Sequence, residues 1–136
     1  MEQASSTIQA SSAKIRHTLL SPVALPEWNE AFLAIEGPAE PSTGERYSLR
    51  VRPGLSGWLE YTAINPDRIE LTWQVPGFHE IGSWTIVPSG PSTVVRHSFE
   101  HAGPLAAILR HAYRGVAAVR VQRLARVAEA RRGEES

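Results

Sequence analysis

Two glutamates, Glu60 and Glu80, and two histidines, His97 and His101, are the residues of this 136-residue chain whose types and spacing suit proton transfer. Each lies in a stretch where polar and apolar residues alternate. If the bulky apolar positions of a strand point inward, these four point inward with them. A carboxyl removed from water is pushed up in pKa, which would make Glu60 or Glu80 a general acid or base. His97 or His101 would be a proton donor or a hydrogen-bond partner for a ligand carbonyl or phenol. The alternatives are a solvated carboxylate, a strand bulge that flips the register, a packed His97 and an exposed His101 at a strand end.

The string His97-Ser-Phe-Glu100-His101 also matches H-x-x-E-H, an inverted zinc-protease signature. That chemistry needs a helix, where residues four apart share a face and reach one ion. Here Val94-Val95 precedes the string and Gly103-Pro104 follows it, so it reads as strand. Four strand residues span roughly 13 Å, too far for two ligands of one metal. No convincing third ligand follows, and no metal is expected. With no cysteine, disulfide scaffolds, zinc-thiolate sites, iron–sulfur clusters and thiol nucleophiles are excluded. There is no G-x-S-x-G, phosphate loop or dinucleotide fingerprint, and no cofactor is expected.

Fourteen Lys and Arg balance fourteen Asp and Glu, so a global electrostatic grip on nucleic acid is not expected. The charge is uneven: residues 1–103 carry seven basic and eleven acidic side chains, residues 104–136 seven and three. The apolar runs are too short for a membrane span, and the opening MEQASSTIQASS does not read as a signal peptide. The expectation is a cytoplasmic protein without membrane insertion. Length points to one domain over residues 1–130, with a disordered tail at 131–136 (RRGEES). Monomer and homodimer are both left open.

The elements that must position the candidate residues follow from periodicity. Residues 2–10 read as a polar strand. Ser11 and Ser12 are helix N-caps before a helix from Ala13 to Leu20, which Pro22 ends. A second short helical turn at Pro26–Glu30 leads into Phe32–Glu36. Strands follow at 46–52, 58–64, 68–75, 78–87 and 92–101, separated by Gly, Pro, Asn and Asp turns, with Gly54-Leu-Ser-Gly57 read as one of the turns. From Pro104 to Ala130 apolar residues recur every three to five positions (Leu105, Ile108/Leu109, Ala112, Val116, Val119, Leu124, Val127), the stripe of one long helix. The order gives an α+β fold with an antiparallel sheet curved around a helix.

That order, the segment Leu25-Pro26-Glu27-Trp28-Asn29 and the W-x-x-x-P-x-G pattern from Trp84 to Gly90 before a Gly-Pro-started helix resemble the START/birch-pollen-allergen (SRPBCC) superfamily. Within it they resemble the polyketide cyclase/dehydrase-like group. The resemblance covers residues 3–130. It implies a helix-grip fold: a seven-stranded antiparallel sheet curled around a long C-terminal helix, with two short helices after the first strand. It also implies a cavity between sheet and helix, in a family whose members bind or transform lipids, sterols, plant hormones and aromatic polyketides.

Alternation would line that cavity with Trp58, Glu60, Thr62 and Ile64, then Ile69, Leu71, Trp73 and Val75, then Glu80, Gly82, Trp84 and Ile86, then Val95, His97, Phe99 and His101. Leu109, Ala112, Tyr113 and Val116 would face them from the long helix, and Trp28 would gate the entrance or serve as core. Trp28, Trp58, Thr62, Trp73, Trp84, Phe99, His101 and Tyr113 are the candidate ligand contacts, and Glu60, Glu80 and His97 the candidate catalytic groups. Three functions remain open. One is a binder of a small hydrophobic or aromatic ligand, the first choice. The second is a polyketide cyclase or aromatase using the same acid/base residues. The third is a protein-interaction module with a filled core. Family aromatase/cyclases are thought to use an inward Arg with a Tyr or Ser; the matching positions here hold Ile64 and Thr62, which weakens that reading.

Overall fold

In the computed structural model, which describes residues 2–134, the alternating stretches pair into one seven-stranded antiparallel sheet. Its strands are β1 (Glu2–Ile8), β2 (Phe32–Glu36), β3 (Arg46–Val51), β4 (Leu55–Ile64), β5 (Arg68–Val75), β6 (Phe78–Ser89) and β7 (Ser92–Ala102). They lie in the order β1-β7-β6-β5-β4-β3-β2, so β2 to β7 form a meander and β1 closes onto β7. Between β1 and β2 come α1 (Ser12–Leu19) and a 3-10 helix (Pro22–Glu27); after β7 come α2 (Pro104–Leu109) and α3 (Val116–Glu134). This is the helix-grip arrangement.

Local chemistry sets the helix boundaries. The Ser11 hydroxyl accepts the Lys14 N–H, and α1 then buries Ile15 and Leu19 against the sheet. Tyr61 on β4 donates its hydroxyl to the Leu19 carbonyl at 2.6 Å, tying the end of α1 to the sheet, and burial raises the phenol's pKa. Tyr61→Phe leaves that buried carbonyl without its donor and should cost about 1–2 kcal/mol in urea unfolding. An unchanged midpoint would mean that the bond adds nothing.

The C-terminal segment departs from the expected single helix. Residues 110–115 form turns, and Gly115 takes φ +83°, a left-handed conformation that suits glycine. The Glu2 carboxylate accepts the N–H groups of Gly115 and Ala117, each at 2.8 Å, and so sits at the positive end of α3. The break re-phases the helix. Ala117, Arg120, Val121, Leu124 and Ala128 are buried, whereas Ile108 is 73 % exposed and Val119 41 %. Two smaller expectations also change. Pro22 opens the 3-10 helix as well as following α1, and Leu55–Gly57 begin β4 instead of forming a turn. The expected tail at 131–136 lies at the edge of the description: the α3 backbone continues to Glu134, while side chains from Arg131 onward and residues 135–136 lie outside the described residues.

Candidate functional site

Antiparallel register builds the site. Glu80 on β6 stands directly opposite Trp73 on β5 and His101 on β7, and Trp84 stands opposite His97. Cross-strand neighbours on one face have Cβ atoms about 5 Å apart, so these side chains must meet. The His97 ring stacks on Trp84, centroids 3.8 Å apart, and the Phe99 and His101 rings stack at 4.7 Å.

Into this layer α3 projects Arg120. Its Nη1 and Nη2 donate to the two Glu80 carboxylate oxygens at 2.9 and 3.0 Å, a bidentate pair with both side chains buried. Trp73 Nε1 donates to the same carboxylate at 2.9 Å and His101 Nε2 at 2.8 Å, giving four hydrogen bonds in all. The Arg120 guanidinium also lies 4.7 Å from the Phe99 ring centroid. Burial alone would push the Glu80 carboxyl up, but the Arg120 charge and the hydrogen bonds from His101 and Arg120 bring it down to about 2. Glu80 is therefore a fixed anion at neutral pH, not the raised-pKa acid or base that burial alone suggests.

His97 is held neutral. Burial, then the Arg120 charge, lowers its pKa to about 4. Its Nδ1 donates to the Ser83 carbonyl at 3.0 Å, which leaves Nε2 to accept from Arg120 Nη1 at 3.3 Å. Tyr113 lies beside His101, ring centroids 4.4 Å apart, and its phenol is pushed up to about 12 by burial and by the Glu80 charge.

Above the ion pair a cleft of about 570 Å³ opens between the β3–β4 hairpin and the 105–123 segment. Val51, Leu55, Val75 and Phe78 line its sheet side; Leu105, Leu109, Val116 and Val119 line the helical side. Trp28, Asn29, Trp73 and Arg120 belong both to this cleft and to a void of about 20 Å³ deeper inside, which Glu80, Trp84 and His97 line together with apolar side chains such as Leu25 and Phe32.

The structure brings Trp28, Trp73, Glu80, Trp84, His97, Phe99, His101 and Tyr113 to the interior side of the sheet. Among these, Phe99 and His101 line a separate surface pocket with Glu2, Arg110 and Arg114 instead of the cleft, and Tyr113 borders both. Three candidates are corrected. Trp58, Glu60 and Thr62 lie on the outer face of β4, because Leu59 and Tyr61 are the buried positions there. Glu60 pairs with Arg46 at 3.3 Å, and Arg46 covers the Trp58 ring at 3.9 Å, with the His79 ring of β6 at 6.4 Å from it across β5. A register shift between Tyr61 and Ala63 returns Ile64 to the face of Ile69. The expected pair of inward carboxylates thus reduces to Glu80 alone. Arg120 escaped sequence reasoning; the available signal was Gly115, an isolated glycine inside a helical pattern, beyond which the buried face had to be counted afresh.

The H-x-x-E-H string lies on β7, and among the described residues no cluster of three or more metal-ligating side chains occurs. Among them, too, no helix is long and apolar enough to cross a membrane.

Residues 3–129 match the model of a family described as polyketide cyclase/dehydrase and lipid transport. No curated protein matches the sequence. Among solved structures, a norcoclaurine synthase mutant from Thalictrum flavum, in complex with a transition-state analogue, has TM-score 0.71 at 15 % identity, covering 96 % of this chain and 94 % of that one. A conserved protein from Geobacillus kaustophilus gives 0.71 at 17 %, covering 93 % of each chain. Protein MLL2253 from Mesorhizobium loti gives 0.71 at 18 %, covering 94 % and 97 %. At these identities the likeness is one of fold.

Proposed function

As the chain belongs to the polyketide cyclase/dehydrase and lipid transport family, within the SRPBCC superfamily, we propose that it binds a small hydrophobic or aromatic molecule in the cleft above Arg120. The observation that carries this reading is the cleft itself, about 570 Å³ with aliphatic and aromatic walls and one buried ion pair at its floor. Its volume falls in the range of roughly 300–1,000 Å³ typical of small-molecule sites, which combine apolar walls with a few fixed polar groups. A module built only for protein contacts, with a filled core, has no use for such a space.

Native mass spectrometry of the purified protein should show an adduct of small-molecule mass released on denaturation. Titration with Nile red, an uncharged apolar dye, gives an independent reading. Val119→Glu places a charge on the cleft rim at a half-exposed site, so it should weaken dye binding about tenfold while leaving stability within ~0.5 kcal/mol. Absence of both an adduct and dye binding would overturn the reading.

A second reading, a cyclase or dehydrase acting on a polyketide-like chain in the surface pocket that His101 and Phe99 line, draws on the His101–Glu80 couple beside Tyr113. In that reaction Glu80 orients His101, and His101 moves the proton. Turnover of aromatic polyketide-like substrates that survives His101→Gln would remove this reading.

A further inference from the structure

Among the described residues, three buried side-chain nitrogens have no hydrogen-bond partner: His79 Nε2 beside Trp58 on the outer face, and two N–H donors on the inner side, Trp28 Nε1, just after the 3-10 helix, and Arg120 Nε on α3. Trp28 and Arg120 are each 3 % exposed. Buried donors are almost always paired, so each such exception calls for an explanation. The Trp28 and Arg120 side chains line the same void of about 20 Å³, and both also line the floor of the 570 Å³ cleft. A space of that size seats one oxygen atom.

We propose that this void is the anchor point of the cleft ligand, and that it takes a neutral carbonyl-type oxygen accepting from Trp28 Nε1 and Arg120 Nε. The proposal rests on the ligand-binding reading above and names the ligand's chemical class. Indole and guanidinium N–H groups can only donate, so the matching group must accept. Charge decides which acceptor. Glu80 already neutralises Arg120 through two hydrogen bonds, and the other buried base against Arg120, His97, is neutral. A ligand carboxylate would place a second anion beside Glu80 with no second buried Lys or Arg among the described residues, whereas a ketone, aldehyde, amide or quinone oxygen adds none. The body of the ligand is set by the cleft walls, with Trp73, Phe78, Leu105 and Leu109 favouring an aryl or alkyl frame.

Three probes matched in shape test this by calorimetry at pH 7: acetylnaphthalene, ethylnaphthalene and naphthoate, substituted at the same ring position. The ketone should bind about tenfold tighter than the hydrocarbon, because only it satisfies the two donors. It should also bind tighter than the carboxylate. Trp28→Phe keeps an aromatic ring but removes the N–H, so it should narrow the ketone-to-hydrocarbon ratio at least about threefold; the ratio is the readout because the smaller ring changes the cleft wall for both probes alike. Equal affinity for ketone and hydrocarbon, tightest binding by naphthoate, or an unaltered ratio in Trp28→Phe would each overturn the anchor while leaving the cleft a binding site. Failure of all three probes to bind would overturn the binding reading and the anchor together.

Discussion

Replacing Arg120 with methionine should cost about 3–5 kcal/mol of stability at pH 7, because it strands the Glu80 carboxylate in the interior without its cation. That is a large share of the roughly 5–15 kcal/mol that holds a domain of this size folded. Methionine matches much of the arginine's apolar stem, so the loss reports the charge more than the packing. The pH dependence should change sign as well. In the variant, burial, the largest single influence on Glu80, is opposed only by the hydrogen bonds from His101 and Trp73, and the carboxyl moves above its ordinary value. A carboxyl raised in the folded state contributes stability below its unfolded pKa and loses it as pH rises through the folded pKa. The variant should therefore lose less stability, relative to the parent, at pH 5 than at pH 7. Adding Glu80→Met should restore most of the loss, since a buried ion pair replaced by apolar groups is often neutral. Urea unfolding of the parent, single and double variants decides the matter, and a single-variant loss under about 1 kcal/mol would refute the account.

Acid should unfold the protein in two overlapping stages. His97 has a folded pKa of about 4 against an ordinary 6.5, so the unfolded chain takes up the proton first. Its contribution is complete above pH 6.5 and is lost as pH falls towards 4. Glu80 sits at about 2 against 4.5, so its contribution is complete above pH 4.5 and is lost as pH falls towards 2. Each stage is worth on the order of 3 kcal/mol, at 1.36 kcal/mol per pKa unit. His97→Gln can donate to Ser83 and accept from Arg120 without titrating. Its stability should hold steady between pH 6.5 and 4.5 where the parent declines. Parallel curves for parent and variant over that interval would count against a neutral, buried His97.

Periodicity read well wherever one face of an element is wholly buried. β5, β6 and β7 alternate as the sequence implies, so Trp73, Glu80, Trp84, His97, Phe99 and His101 were legible as inward residues. β4 misled because its two alternating sets are both bulky. Trp58 and Ile64 suggested one phase and Leu59 and Tyr61 set the other, and a bulge lets Ile64 and Tyr61 share a face. The same ambiguity put Glu60 inside, where its partner Arg46 instead holds it on the outer surface.

The sequence by itself determined the order of elements, the antiparallel sheet, the family and the apolar, aromatic character of the interior. These depend on local spacing and turn chemistry, which a linear chain carries in full. Only the tertiary structure decided that Glu80 is an anion, that His97 is neutral and that the cleft ends in two unpaired donors. Arg120, forty residues from Glu80 along the chain, fixes the first, adds to burial in the second and supplies one of the two donors in the third. Its direction is set by the phase of α3 after the Gly115 break and by the packing of that helix across the sheet. Electrostatics in a low-dielectric interior depends on distances of a few ångströms, and those distances exist only once the helix has been laid across the strands.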